Sequence, residues 1–198
     1  MAYAGQILEN PVSGERIIFR KTASDTHGEL LAFELFLAPD GHVHPQQEER
    51  FEVVEGTMTF RKGLETVIAR AGDTVVVPPG VVHRFENAGE EPAHALVEVR
   101  PALRMELLFE TATALAREGR TNRKGLPKPL ELALFVREFE REVRAPFLPA
   151  GVVRAVMAPL VWLAARQALD ERYRRVPVDG TLPAHAGPSY PAAEKEVA

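Results

Sequence analysis

Three histidines and one glutamate lie at spacings that suit a metal site: His42, His44, Glu49 and His83. Alternate side chains of a β-strand share a face, so His42 and His44 in one strand point to the same side. These two imidazoles make a chelating pair, and Glu49 and His83 complete a set of three nitrogen ligands and one carboxylate. The set suits a divalent first-row metal, because imidazole favours Fe, Ni, Cu and Zn and carboxylate tolerates Mn.

The four residues belong to two longer motifs. The first is HxH, four residues, Glu, six residues and a glycine at Gly56. The second consists of Gly72, Pro78, Gly80, His83 and Asn87. In order and spacing these motifs resemble those of the cupins, small β-barrel proteins that hold a metal inside the barrel. The resemblance covers roughly residues 28–100. It departs from the family pattern at Phe36, where a glycine usually precedes the first histidine.

The resemblance implies a mainly β fold: a single type 2 cupin domain built as a double-stranded β-helix, or jelly-roll, barrel. It implies one divalent transition metal per chain (Fe, Mn, Ni, Cu or Zn) held by His42, His44, Glu49 and His83. It also implies a small-molecule ligand or substrate and a homodimer, since closed two-fold pairs are the commonest assembly.

Two classes of function are consistent with these motifs. Four protein ligands leave positions open on a six-coordinate metal, which favours a dioxygenase-like oxygenase acting on a small organic substrate. Glu49 is a candidate base, and His27 and His94 are weaker acid–base candidates that are more typical of surface or strand histidines. The alternatives are a non-catalytic barrel that binds or senses a small molecule, and a redox-neutral isomerase or lyase, because fold does not determine function.

Composition narrows the partners and the location. The 198 residues include no cysteine, which excludes disulfides and thiolate ligands. Acidic residues exceed basic ones by 7 in residues 1–100, whereas basic residues exceed acidic ones by 5 in residues 101–175. No recognition helix or RNA-binding signature accompanies this asymmetry, so no nucleic-acid partner is expected. The N-terminus lacks a basic segment followed by an apolar run, so a cytoplasmic location is the default expectation.

The first hundred residues consist of short β-rich runs separated by turns, which favours a sandwich or barrel. The resemblance to cupins decides for the barrel, so we assign the metal-binding barrel to residues 1–100. The predicted strands are Arg16–Lys21, Leu30–Leu37, Arg50–Val54, Met58–Arg61, Thr66–Arg70, Thr74–Val77, His83–Glu86 and Ala93–Val99.

Strand parity predicts which side chains line the barrel interior. Residues that share a face with Glu49 or His83 should point inward, as should the apolar faces of the neighbouring strands. The predicted lining of an apolar small-molecule pocket is Phe33, Leu35, Phe51, Val53, Met58, Phe60 and Phe85. The alternative is that these residues are simply barrel core.

Beyond Pro101 the apolar period changes from two to about 3.6 residues, which predicts an extension of about three helices over residues 101–175. The stripe from Leu103 to Leu115 ends at Gly119, a C-terminal cap. A second helix begins near Pro129. The basic connector before this helix is interpreted as a solvated loop, and anion binding is the alternative.

The third predicted helix spans about residues 151–175 and contains an uncharged run from Ala155 to Ala165. Eleven residues are too few to cross a bilayer, so no membrane span is expected. We expect its apolar residues to pack against the other helices, the barrel or a second subunit: Val153, Val156, Leu160, Trp162 and Leu163. Residues 176–198 are rich in Pro, Ala and Gly, which predicts a disordered tail.

Overall fold

The computed structural model describes residues 2–36, 42–90, 92–146 and 148–169, with the backbone alone at 42 and 43. The turn predicted around Pro39 and Gly41 and the tail predicted for residues 176–198 lie outside the described residues.

Ten strands are present in the described ranges. Eight of them correspond to the eight strands listed above, with ends shifted by no more than two residues. Of the two further short strands, the one at Ile7–Glu9 was not predicted, and the one at His42–Val43 contains only the first of the two histidines that were expected in one strand. The strands are β1 (Ile7–Glu9), β2 (Arg16–Lys21), β3 (Leu31–Phe36), β4 (His42–Val43), β5 (Glu48–Glu55), β6 (Thr57–Lys62), β7 (Glu65–Arg70), β8 (Thr74–Val77), β9 (Val82–Asn87) and β10 (His94–Arg100).

The strands form two antiparallel sheets in which strands distant in sequence lie side by side. The six-stranded sheet has the order β1-β2-β3-β10-β5-β8, and the four-stranded sheet has the order β4-β9-β6-β7. Every pairing is antiparallel, and most neighbours are distant in sequence, such as β3 with β10. The predicted jelly-roll barrel followed by a helical extension is confirmed.

The alternation of side chains places one face of each sheet in the core. In β5 the buried residues are Glu49, Phe51 and Val53, and in β9 they are His83 and Phe85. The Phe51 ring lies 4.9 Å from that of Phe85 across the barrel. Such aromatic pairs contribute about 0.5–1.5 kcal/mol beyond their buried area. The two sheets are therefore held together at the point where the histidine and the glutamate enter the interior.

The helical extension begins directly after β10. Helix α1 (Met105–Arg117) ends in a Schellman motif, in which Gly119 has a φ of 66° and the Arg120 N–H donates to the Leu115 carbonyl at 2.9 Å. Helix α2 (Pro129–Glu138) has proline at its first position, where no backbone donor is needed. Helix α3 (Ala150–Arg166) follows.

The helices and the barrel share one hydrophobic core. A single cluster of buried residues includes Phe33 and Phe51 of the barrel together with Leu108, Leu134 and Phe139 of the extension. The Phe109 ring of α1 meets Phe33 edge-on at 5.1 Å. Helix α1 therefore lies against the inner face of the large sheet. The division at residue 100 stays a prediction.

The prediction for α3 was correct for one of its faces only. Val153 and Leu160 are partly buried and Ala164 is fully buried, which places one stripe against the rest of the chain. The rest of the helix surface is solvent-exposed, because the neighbours of α3 contact only one side of the helix. It includes Val156, Trp162 and Leu163, which are 61%, 57% and 40% exposed. The described helices do not meet the length and apolarity that a membrane span requires.

Candidate metal centre

Three of the four predicted ligands meet inside the barrel. His44 follows β4, Glu49 lies in β5 and His83 lies in β9. The pairing of β4 with β9 brings the two histidines together, and β5 of the other sheet presents Glu49. All three are buried, at 3%, 4% and 2% exposure. The cluster therefore depends on both sheets.

The side chains converge on one point. His44 Nε2 lies 3.3 Å from Glu49 Oε1, and His83 Nε2 lies 2.8 Å from Glu49 Oε2. One nitrogen or oxygen from each of the three residues lies within 4.8 Å of the others. The imidazole rings are 5.4 Å apart and tilted by 35°. These separations match those of atoms that share a single ion.

Both imidazoles are oriented by backbone carbonyls. His44 Nδ1 lies 2.6 Å from the carbonyl oxygen of Glu142, and His83 Nδ1 lies 3.0 Å from that of Val81. A ring that donates from Nδ1 to a carbonyl carries its lone pair on Nε2 in the neutral form. Metal-binding histidines commonly have this second interaction, which fixes the tautomer and the ring direction. The Glu142 carbonyl belongs to the helical extension.

This arrangement fits a metal ion. The two Nε2 atoms and both carboxylate oxygens converge in a buried space, where a shared cation balances the charge of the carboxylate. Two imidazoles and one carboxylate are a donor set that holds Fe, Mn, Ni, Cu or Zn. His44, Glu49 and His83 are therefore suited to hold one divalent metal.

The pKa of His83 reflects the same geometry. Burial by itself lowers this pKa, because it penalises the charged imidazolium. The hydrogen bond and negative charge of Glu49, with the Val81 carbonyl, outweigh the burial, so the pKa of His83 is raised above its ordinary value.

The fourth predicted ligand is His42. Its backbone pairs directly with His83 in the β4–β9 register. Its side chain lies outside the described part of the structure, so its role as a ligand stays a prediction.

The cluster opens into a cavity of about 420 Å³. That volume is within the range of about 300–1,000 Å³ that is usual for small-molecule sites. Of the predicted lining residues, Phe33, Leu35, Phe51 and Phe85 lie on its wall. The structure instead places Val53, Met58 and Phe60 in the hydrophobic core, away from the cavity wall.

Sequence reasoning missed the part of the wall that the helices supply. Met105, Leu108 and Phe109 of α1 and Phe135 of α2 face the cavity opposite the large sheet. Helical periodicity predicted buried stripes that contain Leu108 and Phe135 but not Met105 or Phe109, and periodicity does not identify the surface against which a helix packs. The extension thus forms one side of the pocket.

Glu15 is a second residue that the sequence did not single out. It lies just before β2, is partly buried and lines the same cavity as the histidine–glutamate cluster. Burial raises the pKa of its carboxyl group to about 7. A lone glutamate before a strand carries no sequence signal for this environment, since the burial comes from segments distant in sequence.

The two weaker acid–base candidates lie elsewhere. His27 is exposed in a turn with a φ of 52°. His94 lies 3.3 Å from Glu34 and stacks on the Phe36 ring at 4.3 Å. Neither lines the cavity. Both environments are those of ordinary structural or surface histidines.

Comparisons with known proteins agree with the fold. Residues 38–99 match the family described as a cupin domain. Over 60 residues the chain is 37% identical to "Polyketide synthase CurC" from Streptomyces cyaneus, a match that covers 30% of this chain and 39% of that protein. Over 49 residues it is 41% identical to "Uncharacterized protein YdbB" from Bacillus subtilis strain 168, a match that covers 24% of this chain and 43% of that protein. The chain spans about two fifths of the length of these relatives.

Solved structures with the same kind of barrel are more distant. An RmlC-like cupin from Shewanella frigidimarina is 20% identical, with a TM-score of 0.44 over 54% of this chain and 94% of that one. A predicted oxalate decarboxylase from Thermotoga maritima is also 20% identical, with a TM-score of 0.43 over 50% of this chain and 92% of that one.

Proposed function

We propose that this chain, whose β-barrel belongs to the cupin superfamily, is a metal-dependent oxygenase that acts on a small, mainly apolar organic substrate. The observation that supports this most strongly is the buried cluster of His44, Glu49 and His83 at the end of an apolar cavity. The protein offers few polar groups for chemistry there, so a metal is the natural source of reactivity. When bound, a first-row metal supplies open coordination positions and one-electron chemistry that the side chains lack.

The side chains have separate tasks in this proposal. His44, Glu49 and His83 hold the metal, with His42 as the proposed fourth ligand. Phe51 and Phe85 exclude water from the inner end of the cavity and orient a flat or aliphatic substrate against it. Glu49 faces both imidazoles, which favours a ligand role. Acting as a base would require it to leave one of them.

The substrate class follows from the cavity wall. Between the ligand cluster and the cavity mouth the wall is mostly aromatic and aliphatic. One matched relative carries the name "Polyketide synthase CurC", and a ring-containing, polyketide-like compound would suit such a wall. We therefore include compounds of this type among the substrates to be screened first.

A non-catalytic ligand-binding barrel is the second candidate. It is favoured by one observation: among the described residues, Glu15 is the only other acidic or histidine side chain that lines the cavity besides the cluster. A barrel that only binds or senses its ligand needs no further acid or base. An isomerase or lyase would retain the metal and work without oxygen.

Metal content is the first test. We expect about one transition-metal ion per purified chain, and background levels in His44→Ala and His83→Ala, because each change removes a nitrogen ligand. His94→Ala is the matched control, since it removes a partly buried strand histidine outside the cluster, and it should retain the metal. Elemental analysis reads out both results. Equal metal content in all four proteins, or none in wild type after reconstitution, would overturn the metal site.

Oxygen consumption separates the candidate functions. We expect metal-dependent O₂ uptake with an apolar ring compound, lost in His83→Ala and kept in His94→Ala. Turnover that persists under anaerobic conditions indicates an isomerase or lyase. A ligand that raises Tm and is recovered unchanged supports the binding barrel.

The assembly and location remain part of the proposal. We expect a homodimer in the cytoplasm. Light scattering that gives a monomer mass at every concentration would contradict the dimer, and recovery of the native protein outside the cytoplasmic fraction would contradict the location.

A further inference from the structure

The cavity has two polar ends separated by an apolar wall. The inner end is the cluster of His44, Glu49 and His83. The outer end is formed by the loop that precedes β2, which carries Glu15, and by the connector between α1 and α2, which carries Lys124. Phe33 of the large sheet and Phe109 of α1 lie between the two ends. The passage therefore runs beneath α1, between the helix and the sheet.

The strand register gives the length of this passage. Glu49 pairs with Val99, which pairs with Leu31 at one end of β3. At the other end Phe36 pairs with Arg16, the residue after Glu15. From Leu31 to Phe36 is five residues, about 16 Å at about 3.3 Å per residue. Because about 420 Å³ extends between residues at the two ends of this strand, the cavity is elongated.

The carboxyl group at the outer end lacks a charged partner. Within the described residues, Glu15 makes no ion pair, and its neighbour Arg16 is directed to Glu9 at 3.6 Å and to the face of Phe36. Lys124 shares the cavity mouth but is exposed, so its ammonium group is solvated. The raised pKa of Glu15 has burial as its cause. A partly buried carboxylate without a cation is stabilised strongly by a ligand that brings one.

We propose that the cavity binds an elongated, mainly apolar molecule whose outer end carries a protonated amine, and that Glu15 recognises this amine at the cavity mouth. This deepens the proposed function by naming the substrate class. It requires only that the ligand lie in the cavity, so it is tested without turnover. The inner end of the same molecule reaches the metal ligands, and the amine determines its direction.

Matched amphiphiles test the charge preference in the wild type alone. At pH 8, where the Glu15 carboxylate predominates, we expect n-decylamine to displace a fluorescent apolar dye at a concentration at least about tenfold lower than decanoate does, since only the amine donates a charge-assisted hydrogen bond to the carboxylate. Equal potency of the two compounds, or stronger displacement by decanoate, would overturn the proposal.

Variants locate the preference. Glu15→Gln should weaken the binding of decylamine about tenfold and leave the binding of decanol unchanged. Lys124→Met should not weaken the binding of decylamine, because the change removes a positive charge from the described residues that line the cavity. His83→Ala should still discriminate amine from carboxylate, which separates failure of this proposal from failure of the metal site. Unchanged decylamine affinity in Glu15→Gln would refute the role of Glu15.

Discussion

The barrel and the helical extension both bury carboxylates, but they arrange them differently. In the barrel, Glu49 faces two buried histidines, so three titratable groups share one small space. In the extension each buried carboxylate has its own donor. Glu110 accepts from Gln6 Nε2 at 3.1 Å, Glu131 accepts from Arg120 Nε at 2.9 Å and Glu142 accepts from the Arg104 backbone N–H at 3.3 Å.

This contrast separates structural burial from a functional site. A carboxylate with a dedicated donor contributes to the positions of the elements it joins: Glu110 connects α1 to the N-terminal segment, and Glu142 connects the segment after α2 to the start of α1. Convergent histidine and carboxylate groups can instead hold a shared cation. Convergence, and not burial alone, identifies the candidate metal centre.

The largest effect should come from breaking a dedicated pair in the extension. Arg120 holds Glu131 with two nitrogens, and its Nη2 lies 2.5 Å from Oε2. Arg120→Met leaves that carboxylate buried without its cation, so we expect a loss of about 3 kcal/mol in the free energy of unfolding. Urea unfolding measures it.

Arg123→Met is the matched control, because Arg123 lies on the same connector and is exposed. Its free energy of unfolding should stay within about 0.5 kcal/mol of wild type. Similar values for the two variants would show that the Arg120 pair is no different from a surface charge.

Glu15 should show how far burial destabilises a carboxylate that, among the described residues, has neither a dedicated donor nor facing histidines. Its pKa is raised from 4.5 to about 7 in the folded chain, so between these values the folded state binds more protons than the unfolded state. Unfolding free energy therefore falls as pH rises through this window, by at most about 3 kcal/mol.

Glu15→Gln cannot titrate, so it should match wild type near pH 4 and be more stable above pH 7. Thermal unfolding at several pH values measures the difference between the two proteins. A difference that does not change with pH would contradict the effect of burial on Glu15.

The smallest effect should appear where the two regions meet. The Glu142 carboxylate is tied to the start of α1, while its backbone carbonyl orients His44. Glu142→Ala should lower the free energy of unfolding by about 1–2 kcal/mol. By loosening that carbonyl, it should also weaken metal binding up to about tenfold.

Glu142→Gln retains an oxygen acceptor and should keep most of both properties. Calorimetric metal titration measures the metal affinity of both variants, and urea unfolding measures their stability. If Glu142→Ala bound metal as tightly as wild type, the extension would have no part in holding His44.

Much of the barrel was predictable because local rules determine it. Alternating apolar residues and glycine- or proline-containing turns located eight strands within two residues, and the period-two rule placed Glu49, Phe51 and Val53 on one buried face. The proximity of His44, Glu49 and His83 followed from motif spacing and the resemblance to cupins. Val53 was expected in the pocket but lies in the core, because parity says which face a residue is on and not how deep it lies.

The sequence alone predicted the strands and the helical extension from periodicity and turn chemistry, and the resemblance of its two motifs to those of cupins implied the barrel and the residues that converge inside it. Only the tertiary structure decided that α1 covers the cavity, that the Glu142 carbonyl orients His44 and that Glu15 is partly buried at the far end. Each of these joins segments distant in sequence, and no local pattern encodes which surfaces will meet when the core closes.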